Sequence, residues 1–195
     1  MTAMAGVMFV STQLHQFAWG WTPLQTGLAN LPFVVGMMGA GPFVDRAVAR
    51  WGHRRTSLSA VVLLLASLAV WVYAVAHGFV WCALGMLVMT VAMRTVMTTG
   101  AVALMGALPE SHTSMGSAMN DTAQEVGNAV GLAIVGTEMA SVVGTALPTG
   151  AWDPATVAGF IHSQQISFSL LAVLVLVLAG VGIRTLTDSR DTEEH

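Results

Sequence analysis

The sequence predicts an all-α membrane protein, a bundle of six transmembrane helices, and three observations carry that prediction. Hydrophobic residues make up 55% of the 195 and charged residues only 9%, with no Lys at all, which leaves too little polar surface for a water-soluble domain. The apolar residues fall in uninterrupted runs as long as a helix needs to cross hydrocarbon, about 20 residues, where barrel strands would alternate in polarity over about 10. Basic residues are confined: Arg46, Arg50, Arg54 and Arg55 place four of the seven in one connection between two such runs.

Taken in order, residues 1–18 form the first span, which is short, carries Gln13, His15 and Gln16, and lacks the basic start of a cleaved signal peptide. Trp21-Thr22-Pro23-Leu24 turns the chain into a second span over 23–44, where Gly36, Gly39 and Gly41 offer a close-packing face and Pro42 ends or kinks the helix. The third span is 56–76, and His77-Gly78 makes a tight hairpin into the fourth, 79–108. Pro109-Glu110-Ser111 breaks the chain before a fifth span over 115–143. The longest connection, from Gly144 to about Gln165, contains Ala151-Trp152-Asp153-Pro154, expected to form an ordered turn or interfacial element. The sixth span is 166–186, followed by a polar tail over 188–195 whose acidic composition predicts disorder.

Six spans put both termini on one side, together with the loops after spans two and four. Arg46, Arg50, Arg54, Arg55, Arg184 and Arg190 all fall on that side, and the opposite loops carry no Lys or Arg, so the positive-inside rule makes both termini cytoplasmic. Trp19, Trp21, Trp71, Trp81 and Trp152 then lie at or near the outer boundary, where an amphipathic indole is favoured. The net charge of -3 reflects the acidic tail and points to no nucleic-acid partner. Cys82 stands alone in an apolar segment, and the six histidines belong to different loops and spans, so neither a disulfide nor a metal centre is indicated. No phosphate loop, paired nucleophile and base, or catalytic acid pair is present, which argues against an enzyme and implies no cofactor.

Three segments carry a family likeness. Gly20-Trp21-Thr22-Pro23-Leu24-Gln25-Thr26-Gly27-Leu28, the loop Gly41 to Arg55 with Asp45, Arg46, Arg50, Gly52, Arg54 and Arg55, and the stretch from Met115 to Gly131 occur in that order. Together they resemble the carboxyl-terminal six helices of a major facilitator superfamily transporter, in the fourteen-helix drug/proton antiporter branch. The loop departs from the superfamily signature: aligned on Gly52 it has Ala49 where the acidic residue belongs, and aligned on Asp45-Arg46 it keeps the acid and loses the following glycine. Gln124 and Glu125 stand where the family has a basic residue followed by Gln. The resemblance implies multidrug or small-molecule efflux by proton antiport across the cytoplasmic membrane, with a small apolar or cationic substrate. It also implies a half-length transporter, truncated or a fragment, whose missing half would come from a second transporter half or a homodimer. The other function class is a non-transporting membrane scaffold or partner subunit.

Charged groups inside a bilayer are costly unless paired, which singles out Arg94, Asp121 and Glu125. Arg94 and Glu125 are equally far from the turn at Pro109-Glu110, so an antiparallel hairpin of spans four and five sets them at one depth, with Thr98 facing Asp121 and Thr90 facing Asn128. The pair reads either as a buried salt bridge or as a proton-responsive switch. Gly116, Gly127 and Gly131 share a helix face suited to close packing, and Gln16, Thr98 and Asn128 are candidates to line a cavity.

Overall fold

In the computed structural model, which describes residues 2–107, 113–143 and 152–191, every element is helical. α1, Thr2–Gln13, passes into a π-helical turn, Leu14–Ala18, where the Trp19 N–H reaches back five residues to the Leu14 carbonyl at 3.0 Å. Gly20, at φ +66, then folds the chain back, and Thr22 and Gln25 form a reciprocal capping box that starts α2, Pro23–Ala29. Pro23 occupies the first turn, where its missing N–H costs nothing.

α3, Leu31–His77, would be about 70 Å long if straight, more than twice the hydrocarbon thickness of a bilayer. It is not straight. Gly52 has φ 77 and ψ 167, the one non-helical backbone inside it, and divides it into arms over 31–51 and 53–77. A Cβ at Gly36 would lie 3.1 Å from Thr90, and one at Gly41 would lie 3.6 Å from Arg94, so the first arm runs parallel to α4, Phe79–Ala107. In the second arm the Ser67 hydroxyl donates to the Gly85 carbonyl at 3.1 Å, and Cys82 lies beside Ala74, so that arm is antiparallel to α4. Gly52 therefore reverses the chain, and Gly78, at φ 100, reverses it again after two arms of about 30 to 40 Å.

The remaining helices continue the alternation. α5, Thr113–Val143, lies parallel to α1, with the Thr2 backbone against Gly131 and Gly6 against Val135. α6, Pro154–Asp191, runs antiparallel to both α1 and the second arm of α3: Leu171 meets Gly6, Phe17 stacks on Trp152 at 5.4 Å, and the Gln165 amide donates to the Val72 carbonyl at 3.0 Å. The core gathers Val7, Val10, Leu14, Leu68, Trp71, Met86, Met89, Met93, Phe160, Phe168 and Leu171. Large apolar side chains also cover the outside, among them Leu24, Val35, Met38, Val62, Val80 and Leu176 to Leu178. A surface of that kind belongs in lipid, where packing between helices and not burial from water holds the bundle. Among the described residues, three helical stretches are long and apolar enough to cross a membrane: Pro23–His77, which Gly52 divides, Phe79–Gly100 and Pro154–Val181. The chain is a multi-pass membrane protein.

Several boundaries differ from those expected. Pro42 does not end the second span; the helix runs on to residue 51, so most of the predicted arginine loop is helical. α6 begins at Pro154, well before residue 166, because Asp153 caps it: one carboxylate oxygen accepts from the Ala155 and Thr156 amides at 2.8 and 2.9 Å, and the other from the Thr156 hydroxyl at 2.8 Å. Helix also extends through 188–191 of the expected tail. The turn at Pro109-Glu110-Ser111, His112, the stretch 144–151 and residues 192–195 lie outside the described residues. Trp71 is not an interfacial anchor but a core residue, seated against Gly85, whose missing side chain makes room for the indole.

Two measurements check this account. Gly52→Ala forces a conformation essentially restricted to glycine and should cost about 1–3 kcal/mol, read as a lower Tm in detergent. Gly39→Ala, where an added methyl meets nothing within 4 Å, should leave Tm unchanged or raise it. The Thr156 amide and hydroxyl hold the Asp153 carboxyl below the usual carboxylate range, so its capping contribution is complete above that range and disappears as pH falls through the depressed value. Hydrogen-exchange protection of the Ala155 and Thr156 amides should therefore drop on acidification, and in Asp153→Ala it should already be low at neutral pH.

Candidate functional site

The two ends of the bundle differ in chemistry. At one end, around Gly52, Arg46, Arg50, Arg54 and Arg55 are all exposed, with Asp45 beside them. Arg46 donates to the Pro42 carbonyl at 3.2 Å and lies 6.0 Å over the Phe43 ring. At the other end aromatic rings collect: Trp19, Trp21 and Phe79 from the first turns, Tyr73 and Trp81 across the hairpin, Trp152 and Phe160 at the start of α6. The alternation of helix direction separates these two sets.

Arg94 is half-buried on α4 and faces Gly41 of α3, and its Nε has no hydrogen-bond partner. Asp121 and Glu125 are exposed on α5, and no ion pair joins either to Arg94. Among the described residues α5 packs on α1 and α6 and scarcely touches α4, so the structure does not bring the expected pair together. The polar residues of α5 nevertheless share one face: Asn120, Asp121, Gln124, Glu125 and Asn128 lie within about 140° of arc at 100° per residue. Asn120, Asp121 and Glu125 are exposed there, and Gln124 and Asn128 half-buried. Gln16 and Thr98 are half-buried as well. Of the three glycines on the adjoining face, Gly131 touches the Thr2 carbonyl so closely that any side chain would collide with it; Gly116 is buried and Gly127 half-buried.

A second feature had no place in the sequence-based expectations. His15, in the π-helical turn, is fully buried, and neither ring nitrogen has a hydrogen-bond partner. Its imidazole stacks on Trp21 at 4.9 Å and 17°, tilts against Trp19 at 5.1 Å and meets the edge of Phe79 at 5.9 Å. The Trp21 N–H also bonds the His15 carbonyl at 2.8 Å, so the Gly20 turn fixes ring and backbone together. The signal available in the sequence was the run of aromatics after His15 together with Gly20. Further along the interior, Ser11 Oγ, Gln164 Oε1 and Trp71 Nε1 are buried without a partner.

No protein-family model matches the chain, and no solved structure does. Distant relatives exist. The chain is 26% identical over 188 residues to the putative multidrug resistance protein MdtD of Serratia proteamaculans, which covers 95% of this chain and 39% of that protein. It is 25% identical over 139 residues to the multidrug resistance protein Stp of Mycobacterium tuberculosis, covering 71% of this chain and 26% of Stp. The drug efflux pump JefA of the same organism is 26% identical over 148 residues, 76% of this chain and 29% of JefA. The chain thus spans about a quarter to two fifths of the length of these relatives.

The placement of Arg94 and Glu125 gives a measurable expectation. A double-mutant cycle of Arg94→Met and Glu125→Gln in detergent should return a coupling within about 0.5 kcal/mol of zero, the range for residues without a shared contact. A coupling above about 1 kcal/mol would mean that the two side chains meet.

Proposed function

We infer that this chain forms half of a proton-driven drug efflux transporter, the part equivalent to the carboxyl-terminal six helices of a major facilitator superfamily fold. It sits in the cytoplasmic membrane with the arginine end and both termini inside. The observation that carries this reading is the polar face of α5. Asp121 and Glu125 lie uncovered by the chain's own helices, yet a carboxylate facing lipid costs a few kcal/mol, so the face needs a water-lined path or a second half against it. The names of the longer relatives, with their multidrug resistance and drug efflux, support the same conclusion.

In this reading Glu125 or Asp121 takes up the proton, and Gln16, Thr98 and Asn128 line the route of a small apolar or cationic substrate beside adaptable methionines. The alternative, a scaffold that binds a partner through the small-residue face of α5, is weakened because α1 already occupies Gly131.

Vesicles holding this chain alone, and a chimera in which it replaces the matching segment of the Serratia relative, provide the test. A pH gradient should drive export of a cationic dye from at least one of them, and Glu125→Gln should reduce that export at least tenfold. If neither preparation exports dye, or Glu125→Gln leaves the rate unchanged, the proton-coupled reading fails.

A further inference from the structure

The caged imidazole at the aromatic end has a chemical consequence of its own. A neutral imidazole carries one N–H donor and one lone pair, and in His15 both are buried without a partner. Nothing about packing explains a histidine there, because a phenylalanine ring would fill the same box without unmet polar atoms. The walls are the faces and edges of Trp19, Trp21 and Phe79, which offer the ring no hydrogen-bond partner. The backbone beneath is a π-helical turn, a local irregularity that is frequent at functional sites. Closure over the ring depends on Trp21, brought back by the left-handed backbone at Gly20.

Among the described residues, no titratable group hydrogen-bonds the ring. α1 carries no other charged or titratable group, and α2 none at all. On the first turns of α4 the nearest is Cys82, whose thiol is directed to the Ala74 carbonyl. Glu138 of α5 is half-buried and level with the middle of α1, because Val135 meets Gly6. Tyr73 and His77 stack on each other, Asp153 is engaged by Thr156, and His162 is exposed. Among the described residues, the rings that meet the imidazole are those of Trp19, Trp21 and Phe79.

We propose that His15 is a proton-binding site and that taking up a proton opens the Trp19–Trp21 closure at the aromatic end of the bundle. The closed box suits the neutral ring. An imidazolium has two N–H donors, and only a rearrangement that admits water can satisfy both, so a proton shifts the population toward an open state. The assignment of this end to the outer face rests on the membrane reading above. The proton site itself requires no efflux.

Moving the imidazole off the indole faces changes tryptophan emission, which makes the site visible without substrate. The full chain in lipid vesicles should show a tryptophan-emission step on acidification, as the closed box gives way to the open state. His15→Phe should abolish it. A chain in which every other histidine is replaced by Gln should keep the step, and acrylamide quenching of its tryptophans should rise about twofold on the acid side. A step that survives His15→Phe overturns the proposal, as does a missing step, or one without increased quenching, in the chain that keeps only His15. If His15→Phe does not fold, that last chain decides the matter. These results do not depend on dye export, and loss of export by Glu125→Gln does not alter them.

Discussion

The reversal at Gly52 is the constraint on which the packing rests. Only there, between residues 31 and 77, does the backbone leave helical geometry, and both arms then lie along α4. One arm reaches Thr90 and Arg94 through Gly36 and Gly41, and the other reaches Gly85 through Ser67 and Trp71. Without a sign change in φ the two arms would be one rod, with half of its length far from any neighbour. An exposed glycine with open space around it thus organises the largest contact in the molecule, and its effect is conformational and not steric.

α1 is built differently. Its 12 residues before the π-helical turn are held by close contacts with neighbouring helices. Gly131 lets its backbone lie directly on α5, Gly6 admits Val135 and Leu171, and Phe17 stacks on Trp152. Close backbone approach of this kind substitutes in lipid for the burial that holds soluble helices together.

Much of this was legible in the sequence. The apolar runs gave the helices, His77-Gly78 gave the hairpin, and the spacing of polar residues gave the face on α5. Asp153-Pro154 carries the mark of a helix start, a capping residue followed by proline, but its place in a long polar connection concealed how early α6 begins. The partner of Arg94 was not legible, for a physical reason. Equal distance from a turn fixes depth, but it does not say that consecutive helices touch. Here α4 spends its contacting faces on the two arms of α3, while α5 turns to α1 and α6. The aromatic box around His15 depends on a left-handed turn and a π-helical register, and neither leaves a periodic trace.

The contact of Thr2 with Gly131 leaves no slack between two helices. α1 ends in the histidine box and α5 carries the carboxylates, while α3 and α4 pack on each other and α6 touches both α3 and α5. A displacement of α1 at the aromatic rim would therefore bear directly on the backbone of α5, the helix that holds the acidic side chains.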